Sequence, residues 1–250
     1  MIVLLPNHLH HQQITAIAQE WGFEIRPACG TDQFVLEFFK DRLQLRRYEN
    51  GKTDILYVDF CSPQIKYRLK FGGGRRQAIA KAVGLKKKSY LNIVDATAGL
   101  GRDAFILAGL GCRVHMLERS PVMAALLEDG LRRARLDSDV GFWVEQRLTF
   151  SYQNSCQDLS NLPFVPDVIY LDPMYPQKKK KALVKKEMQV LQALIGEDHD
   201  ANVLLRNALA VVKERVVVKR PSLAGWLNDK KTTTFLKTKN HRFDIYLKNQ

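Results

Sequence analysis

The chain lacks the features that would place it in a membrane, in a disulfide framework or at a metal centre. Its longest apolar stretches, such as Ile2 to Leu5 and Val216 to Val218, fall far short of the roughly 20 residues needed to span a bilayer. No basic start followed by an apolar segment and a small-residue cleavage site opens the sequence, so a soluble, cytoplasmic protein is expected. The four cysteines, Cys29, Cys61, Cys112 and Cys156, are irregularly spaced and form no CxxC pair, which predicts reduced, mostly buried thiols. His8, His10 and His11 cluster near the start, but no further ligand at suitable spacing accompanies them, and no metal is expected. There is no internal repeat.

Acidic residues are missing where they would matter most. From Phe60 to Val94 nine cations (Lys66, Arg68, Lys70, Arg75, Arg76, Lys81, Lys86, Lys87, Lys88) stand without one acid. A second basic cluster holds Lys178, Lys179, Lys180, Lys181, Lys185 and Lys186, and from Lys219 to the C-terminus eight cations face two acids. With a net charge of +13 on 250 residues, a polyanion is the natural partner, because each neutralised phosphate releases condensed counterions. Arg75, Arg76, Lys178, Lys179, Lys219 and Arg220 are therefore candidate nucleic-acid contacts. No obligate protein partner is evident.

What is present reads as two units: residues 1–62 as a small N-terminal α+β domain and residues 63–250 as a Rossmann-like domain. Ile2 to Leu5 predicts a strand, and Gln12 to Trp21 a helix closed by Gly22. Strands follow at Phe34 to Phe39 and Leu43 to Tyr48, and Asn50-Gly51 signals a tight hairpin into a strand from Ile55 to Phe60. After Gly72-Gly73-Gly74 the pattern alternates. Helices are predicted at Arg75 to Val83, Arg102 to Leu110, Pro121 to Ala134, Val140 to Arg147, Lys181 to Leu194 and Ala201 to Ala210. Strands are predicted at Leu91 to Ala96, Arg113 to Glu118, Leu148 to Gln153, Val168 to Leu171 and Arg215 to Lys219. This alternation specifies a mostly parallel sheet with helices on both faces, an α/β fold. Thr232 to Lys237 and Arg242 to Leu247 predict an antiparallel hairpin at its C-terminal edge.

Two segments carry chemistry. Asp95-Ala-Thr-Ala-Gly99-Leu-Gly101 ends one strand and opens a helix. Its glycines allow close backbone approach to a ligand, and the helix N-terminus favours negative charge. Gly99-x-Gly101-x-x-Ala104 also satisfies a dinucleotide fingerprint. The acid four positions before the first glycine suits the cationic amino-acid half of S-adenosylmethionine better than a pyrophosphate. Glu118, ending the next strand, can accept the ribose hydroxyls of either cofactor.

The second segment, Val168-Ile-Tyr-Leu-Asp172-Pro173-Met-Tyr175, resembles the Asn/Asp-Pro-Pro-Tyr/Phe tetrapeptide of methyltransferases that act on exocyclic base amines. An aryl amine is a poor nucleophile because its lone pair is delocalised into the ring. A site for it must hold the amine in line with the methyl donor and accept its N–H groups. Asp172 and a carbonyl of the turn at Pro173 can accept, and Tyr175 offers a stacking face. Met174 replaces the second proline and favours guanine N2 over adenine N6.

On Lys70-Phe-Gly-Gly-Gly-Arg75, Asp95 to Phe105, Met116-Leu-Glu-Arg119, Tyr170 to Met174, Val217 to Pro221 and His241 to Tyr246, the chain resembles the bacterial small-subunit (16S) ribosomal RNA guanine-N2 methyltransferase family called RsmJ (YhiQ-like). The likeness runs from about Tyr57 onward. It implies a class I S-adenosyl-L-methionine-dependent fold and methylation of one guanosine in the 3′ region of the small-subunit RNA, free or in a ribosomal particle. It also implies cofactor contacts by Arg102 and Asp103, by Glu118 and Arg119, by Asn154 and Ser155, and by Asp172. Asn154 departs from the small residue that the family carries there; Ser155 matches.

Overall fold

The computed structural model describes residues 2–157, 159–174, 186–196, 200–229, 231–232 and 234–248. Two sheets organise the chain. The first is built from β1 (Val3–Leu4), β2 (Glu24–Ile25), β3 (Phe34–Phe39), β4 (Arg42–Glu49) and β5 (Lys52–Leu56), in the order β2-β1-β3-β4-β5. Helix α1 (His11–Trp21) connects β1 to β2 and ends at Gly22 with φ +70°. The β4–β5 hairpin turns at Asn50 and Gly51, both with positive φ (50° and 71°), the geometry of a type I′ turn. Pairing begins immediately at Glu49 with Lys52, so β5 runs over Lys52–Leu56 rather than the expected Ile55 to Phe60. The short parallel strand β2 was not legible in the sequence, since both its residues are exposed.

The larger sheet contains β6 (Asn92–Asp95), β7 (Arg113–Glu118), β8 (Leu148–Tyr152), β9 (Val168–Leu171), β10 (Arg215–Pro221), β11 (Phe235–Lys237) and β12 (His241–Leu247). Its order is β11-β12-β10-β9-β6-β7-β8. All pairs from β10 to β8 are parallel, and β12 pairs antiparallel with β10 and β11. The central strands are apolar at nearly every position because both faces are covered. Ile93, Val168, Tyr170 and Val217 face α3 (Ala78–Val83), α4 (Arg102–Gly109) and α5 (Pro121–Arg135). Val94, Ile169, Leu171, Val216 and Val218 face α8 (Ala201–Val211). Remaining helices are α2 (Pro63–Phe71), α6 (Gly141–Arg147) and α7 (Lys186–Ile195).

Helix α2 was not anticipated; a proline at its first turn and cations in its last are its only sequence signals. The helix expected from Arg75 begins only at Ala78. Gly74–Arg76 forms one tight turn, and Gln77 is extended at ψ 146°. The lysine-rich helix expected from Lys181 is described from Lys186 onward. Only Cys112 is a fully buried thiol, and Cys29 is exposed, which corrects the expectation of mostly buried cysteines. His10 stacks on Phe38 at 4.5 Å and bonds to Gln13, a packing role. No described helix is long and apolar enough to cross a membrane.

The first sheet docks on α5. Asp129 accepts a hydrogen bond from the Leu43 amide at 3.1 Å, and Arg133 donates to the Val58 carbonyl. Gly130 is required there, because a Cβ would lie 2.4 Å from Val58. One hydrophobic core therefore runs from Leu4 and Leu36 through to the central strands.

Candidate active site

Strands β6 and β9 are neighbours, and their onward connections lead to β7 on one side and β10 on the other. At such a reversal the connecting loops part and leave a crevice beyond the strand C-termini. Here it is an open cleft of about 980 Å³. Asp95 ends β6 at its floor, and the loop to α4 lies along it. Gly99 (φ +52°) is bare toward the cleft, since a Cβ there would meet nothing closer than 4.0 Å. Gly101 (φ +66°) serves packing instead: a Cβ would press on Phe60 and Leu127 at 2.9 and 3.0 Å.

Glu118 holds this loop. Its buried carboxylate accepts the Gly99 amide at 3.0 Å and the Ser120 amide at 2.8 Å. Ser155 donates to the Ala96 carbonyl at 2.8 Å from the far wall. Burial pushes the Asp95 carboxyl up to about 8, although the Thr97 amide bonds to it, and burial also raises Glu118. Such buried acids await a cation or hydroxyl donors to compensate them.

Opposite the loop lies a network of charges. Lys219, near the end of β10, donates to Asp103 at 2.9 Å and to Asp172 at 2.8 Å. Asp103 also receives Arg68 at 2.9 Å and the Tyr170 hydroxyl at 2.8 Å. Burial opposes ionisation of Asp103, but Lys219 and Arg68 outweigh it and hold the carboxyl well below its usual range. Burial and the neighbouring Asp103 outweigh Lys219 at Asp172 and leave it above the ordinary aspartate value. The Asp172 amide donates to Thr97 Oγ1 at 2.6 Å, tying the end of β9 to the cofactor loop. Among the described residues, Asp172 Oδ1 has no hydrogen-bond partner, while Asp172 lines the cleft.

The structure thus brings Asp95, Gly99, Arg102, Asp103, Glu118, Arg119, Asn154, Ser155, Asp172 and Pro173 to one cleft. Arg102 pairs with Glu187 at 2.7 Å and Arg119 with Asp200 at 2.6 Å across its walls. Asn154 caps its own turn by accepting the Cys156 amide. Lys219 and Arg220, expected at an RNA surface, line this same cleft, and the charge of Lys219 is taken up by two carboxylates. Arg75 is exposed but donates to the carbonyls of Lys88 and Ser89, stapling the chain before β6. Arg76 is exposed. Tyr175, Lys178 and Lys179 lie outside the described residues. Sequence reasoning missed Arg68, Thr97 and Tyr170. A lysine closing the apolar run Val216 to Val218 was the one signal for the role of Lys219.

Counted from β6, the strands stand in the order 3-2-1-4-5-7-6, with the seventh antiparallel. That order, with an acid before a glycine loop and a second acid at the end of the next strand, defines a class I S-adenosylmethionine-dependent methyltransferase. The family model SAM_MT, SAM-dependent methyltransferase, matches residues 16–248. Ribosomal RNA small subunit methyltransferase J of Proteus mirabilis is 54% identical over 98% of this chain and 97% of its own length. The protein of the same name from Aeromonas hydrophila is 52% identical over 99% and 98%. The crystal structure of a SAM-dependent methyltransferase from Neisseria gonorrhoeae matches with a TM-score of 0.78 at 33% identity, over 99% of this chain and 96% of that one. The chain belongs to the ribosomal RNA small subunit methyltransferase J family, and its cofactor is S-adenosyl-L-methionine.

Proposed function

We propose that the protein transfers a methyl group to the exocyclic N2 of a guanosine in the 3′ region of small-subunit (16S) ribosomal RNA, acting in the cytoplasm on free RNA or a ribosomal particle. The observation that carries this is Asp172-Pro173 at the end of β9, with Oδ2 held by Lys219 and Oδ1 open to the cleft. The donor set suits the cofactor. Asp95 is a buried acid matched to a cationic amino-acid end, Glu118 keeps lone pairs for ribose hydroxyls, and Gly99 leaves a bare cradle. When bound, S-adenosylmethionine supplies an electrophilic methyl on a sulfonium.

The chain's own residues handle the amine. Asp172 Oδ1 accepts one N–H, polarising it and fixing the lone-pair direction, and the Pro173 turn offers a carbonyl for the second. Lys219 favours the ionised Asp172, while Asp103, which also accepts the Tyr170 hydroxyl, holds the lysine. Alignment supplies most of the acceleration, since an exocyclic amine becomes acidic only as the new bond forms. Tyr175 is assigned the role of stacking face for the base on its place in the sequence motif alone. Asp103 and Asn154 frame the cofactor, and residues 1–62 are assigned as an N-terminal unit that docks on α5 and shares the core of the larger sheet.

The test is to incubate the protein with labelled S-adenosylmethionine and small-subunit particles from cells lacking the gene, then digest to nucleosides. N2-methylguanosine at a single 3′ position is expected. Label in N6-methyladenosine, or no label in RNA, overturns the reading.

A further inference from the structure

Helix α2 has two unlike faces. Ile65 is buried, and Leu69 packs on α4 so closely that a Cβ on Gly109 would lie 2.5 Å from it. Two positions further round, Tyr67 and Phe71 stand in solvent, 66% and 62% exposed. Their rings lie against each other at 5.1 Å, tilted by 43°, and Lys70 Nζ sits 5.3 Å from the centre of the Phe71 ring. Between them Arg68 reaches the other way, donating to Asp103 on the cleft wall and to Gln77. The ring pair therefore stands on the same short helix as Arg68, a residue that lines the catalytic cleft.

We propose that Tyr67 and Phe71 form a stacking platform for unpaired nucleotides of the RNA substrate that flank the target base. The inference rests on the reading above that the substrate is RNA. A pair of exposed rings leaves apolar surface in water that a planar partner can cover, and charge selects the partner. The segment from Phe60 to Val94 has no acid. Lys66 is already paired with Asp137 and Asp139, and Lys88 with Glu214, but Lys70 is exposed against the Phe71 ring and Arg76 is exposed in the turn that follows the helix. Aromatic faces among cations bind single strands: the rings take the bases, whatever their identity, and the cations follow the backbone. A base held out of its helix for methylation leaves neighbours that need such support.

The experiment measures binding of a fluorescein-labelled, unstructured oligoribonucleotide, and of a duplex of equal length, by anisotropy over a salt series. It compares wild type with Tyr67→Ala/Phe71→Ala and Tyr67→Trp/Phe71→Trp, with thermal melting to confirm folding. The alanine pair should weaken single-strand binding by about tenfold or more. The slope of log K against log salt should stay unchanged, and so should affinity for S-adenosylmethionine and binding of the duplex. The tryptophan pair should restore binding, whereas Arg76→Ala should reduce the slope by about 0.7. Wild-type single-strand affinity in the folded alanine pair overturns the platform. So does a wild-type dimer that this pair splits while RNA affinity stays, since a second copy then covers the rings. Failure of the wild type to methylate particles would instead strike the functional reading, so the two failures are distinguishable.

Discussion

The ammonium of Lys219 lies 2.8 Å from the carboxylate of Asp172, and its other acceptor is Asp103 at 2.9 Å. Burial works against the charge of Lys219, but the two carboxylates outweigh it and raise its pKa well beyond that of a free lysine. Lys219 thus favours the ionised form of both acids, sharing Asp103 with Arg68. Lys219→Met should remove that compensation and destabilise the fold, by less than the roughly 3–5 kcal/mol of a fully unpaired buried charge, because Asp103 keeps Arg68 and Asp172 is partly exposed. In the folded fraction the acidic limb of the kcat profile should move to higher pH, because Asp172 then holds its proton longer. Lys219→Arg should recover stability more than rate. An unmoved acidic limb in Lys219→Met would show that the lysine does not govern Asp172.

Asp95 should make cofactor binding release a proton. Its carboxyl, pushed up to about 8 by burial, is mostly protonated at pH 7, and a neighbouring cation would lower that value and expel the proton. Affinity for S-adenosylmethionine should therefore rise from pH 6 to about 8 and then level off. Calorimetry at pH 7 in buffers of different ionisation enthalpy should show the release directly. The sign for stability is opposite. An acid raised from about 3.9 in the unfolded chain contributes stability that is fully present below that value and lost as pH rises through about 8. Asp95→Asn should flatten both dependences, which urea midpoints against pH and the same calorimetry would reveal.

Glu118→Ala should cost both affinity and loop order. Each carboxylate oxygen accepts a backbone amide, from Gly99 and from Ser120, and an unpaired buried amide costs about 1–3 kcal/mol. Glu118→Gln keeps one acceptor and should fall between alanine and wild type in melting temperature. Equal melting temperatures for all three would show that the loop holds itself.

The parallel sheet and the cofactor loop were legible because their signals are local. Strands such as Val168 to Leu171 are wholly apolar, and Asp95, Gly99 and Glu118 sit at strand ends where a crevice must open. The misplacement of β5 has a local cause too: the hairpin turn starts pairing at Lys52, on polar residues that carry no alternation. The network around Lys219 was not legible. Arg68, Asp103, Tyr170, Asp172 and Lys219 lie on four elements far apart in the chain, and only the strand order sets them within hydrogen-bond distance. Net charge misled for the same reason, since a lysine facing two carboxylates counts in sequence as one more surface cation.

Asp172 is the residue on which the catalytic reading turns. Its amide, bonded to Thr97 Oγ1, belongs to the scaffold and survives any side-chain change. Its carboxylate is 39% exposed and contributes little to the core. Asp172→Ala should therefore fold, with Lys219 still satisfied by Asp103. Methyl transfer should nevertheless collapse, because the amine loses an acceptor that strengthens as positive charge develops on nitrogen. Lost alignment and lost charge stabilisation together should remove on the order of 3–5 kcal/mol from the transition state, two to four decades in rate. Asp172→Asn is the sharper variant: its amide oxygen can still accept one N–H, but the negative charge facing Lys219 is gone. It should retain more activity than alanine and less than wild type. Single-turnover transfer to small-subunit particles, with cofactor and RNA both saturating, separates this chemical effect from binding. A near wild-type rate for Asp172→Ala under those conditions would mean that the turn after β9 only shapes the cleft, and the alignment of the amine would have to come from elsewhere in it.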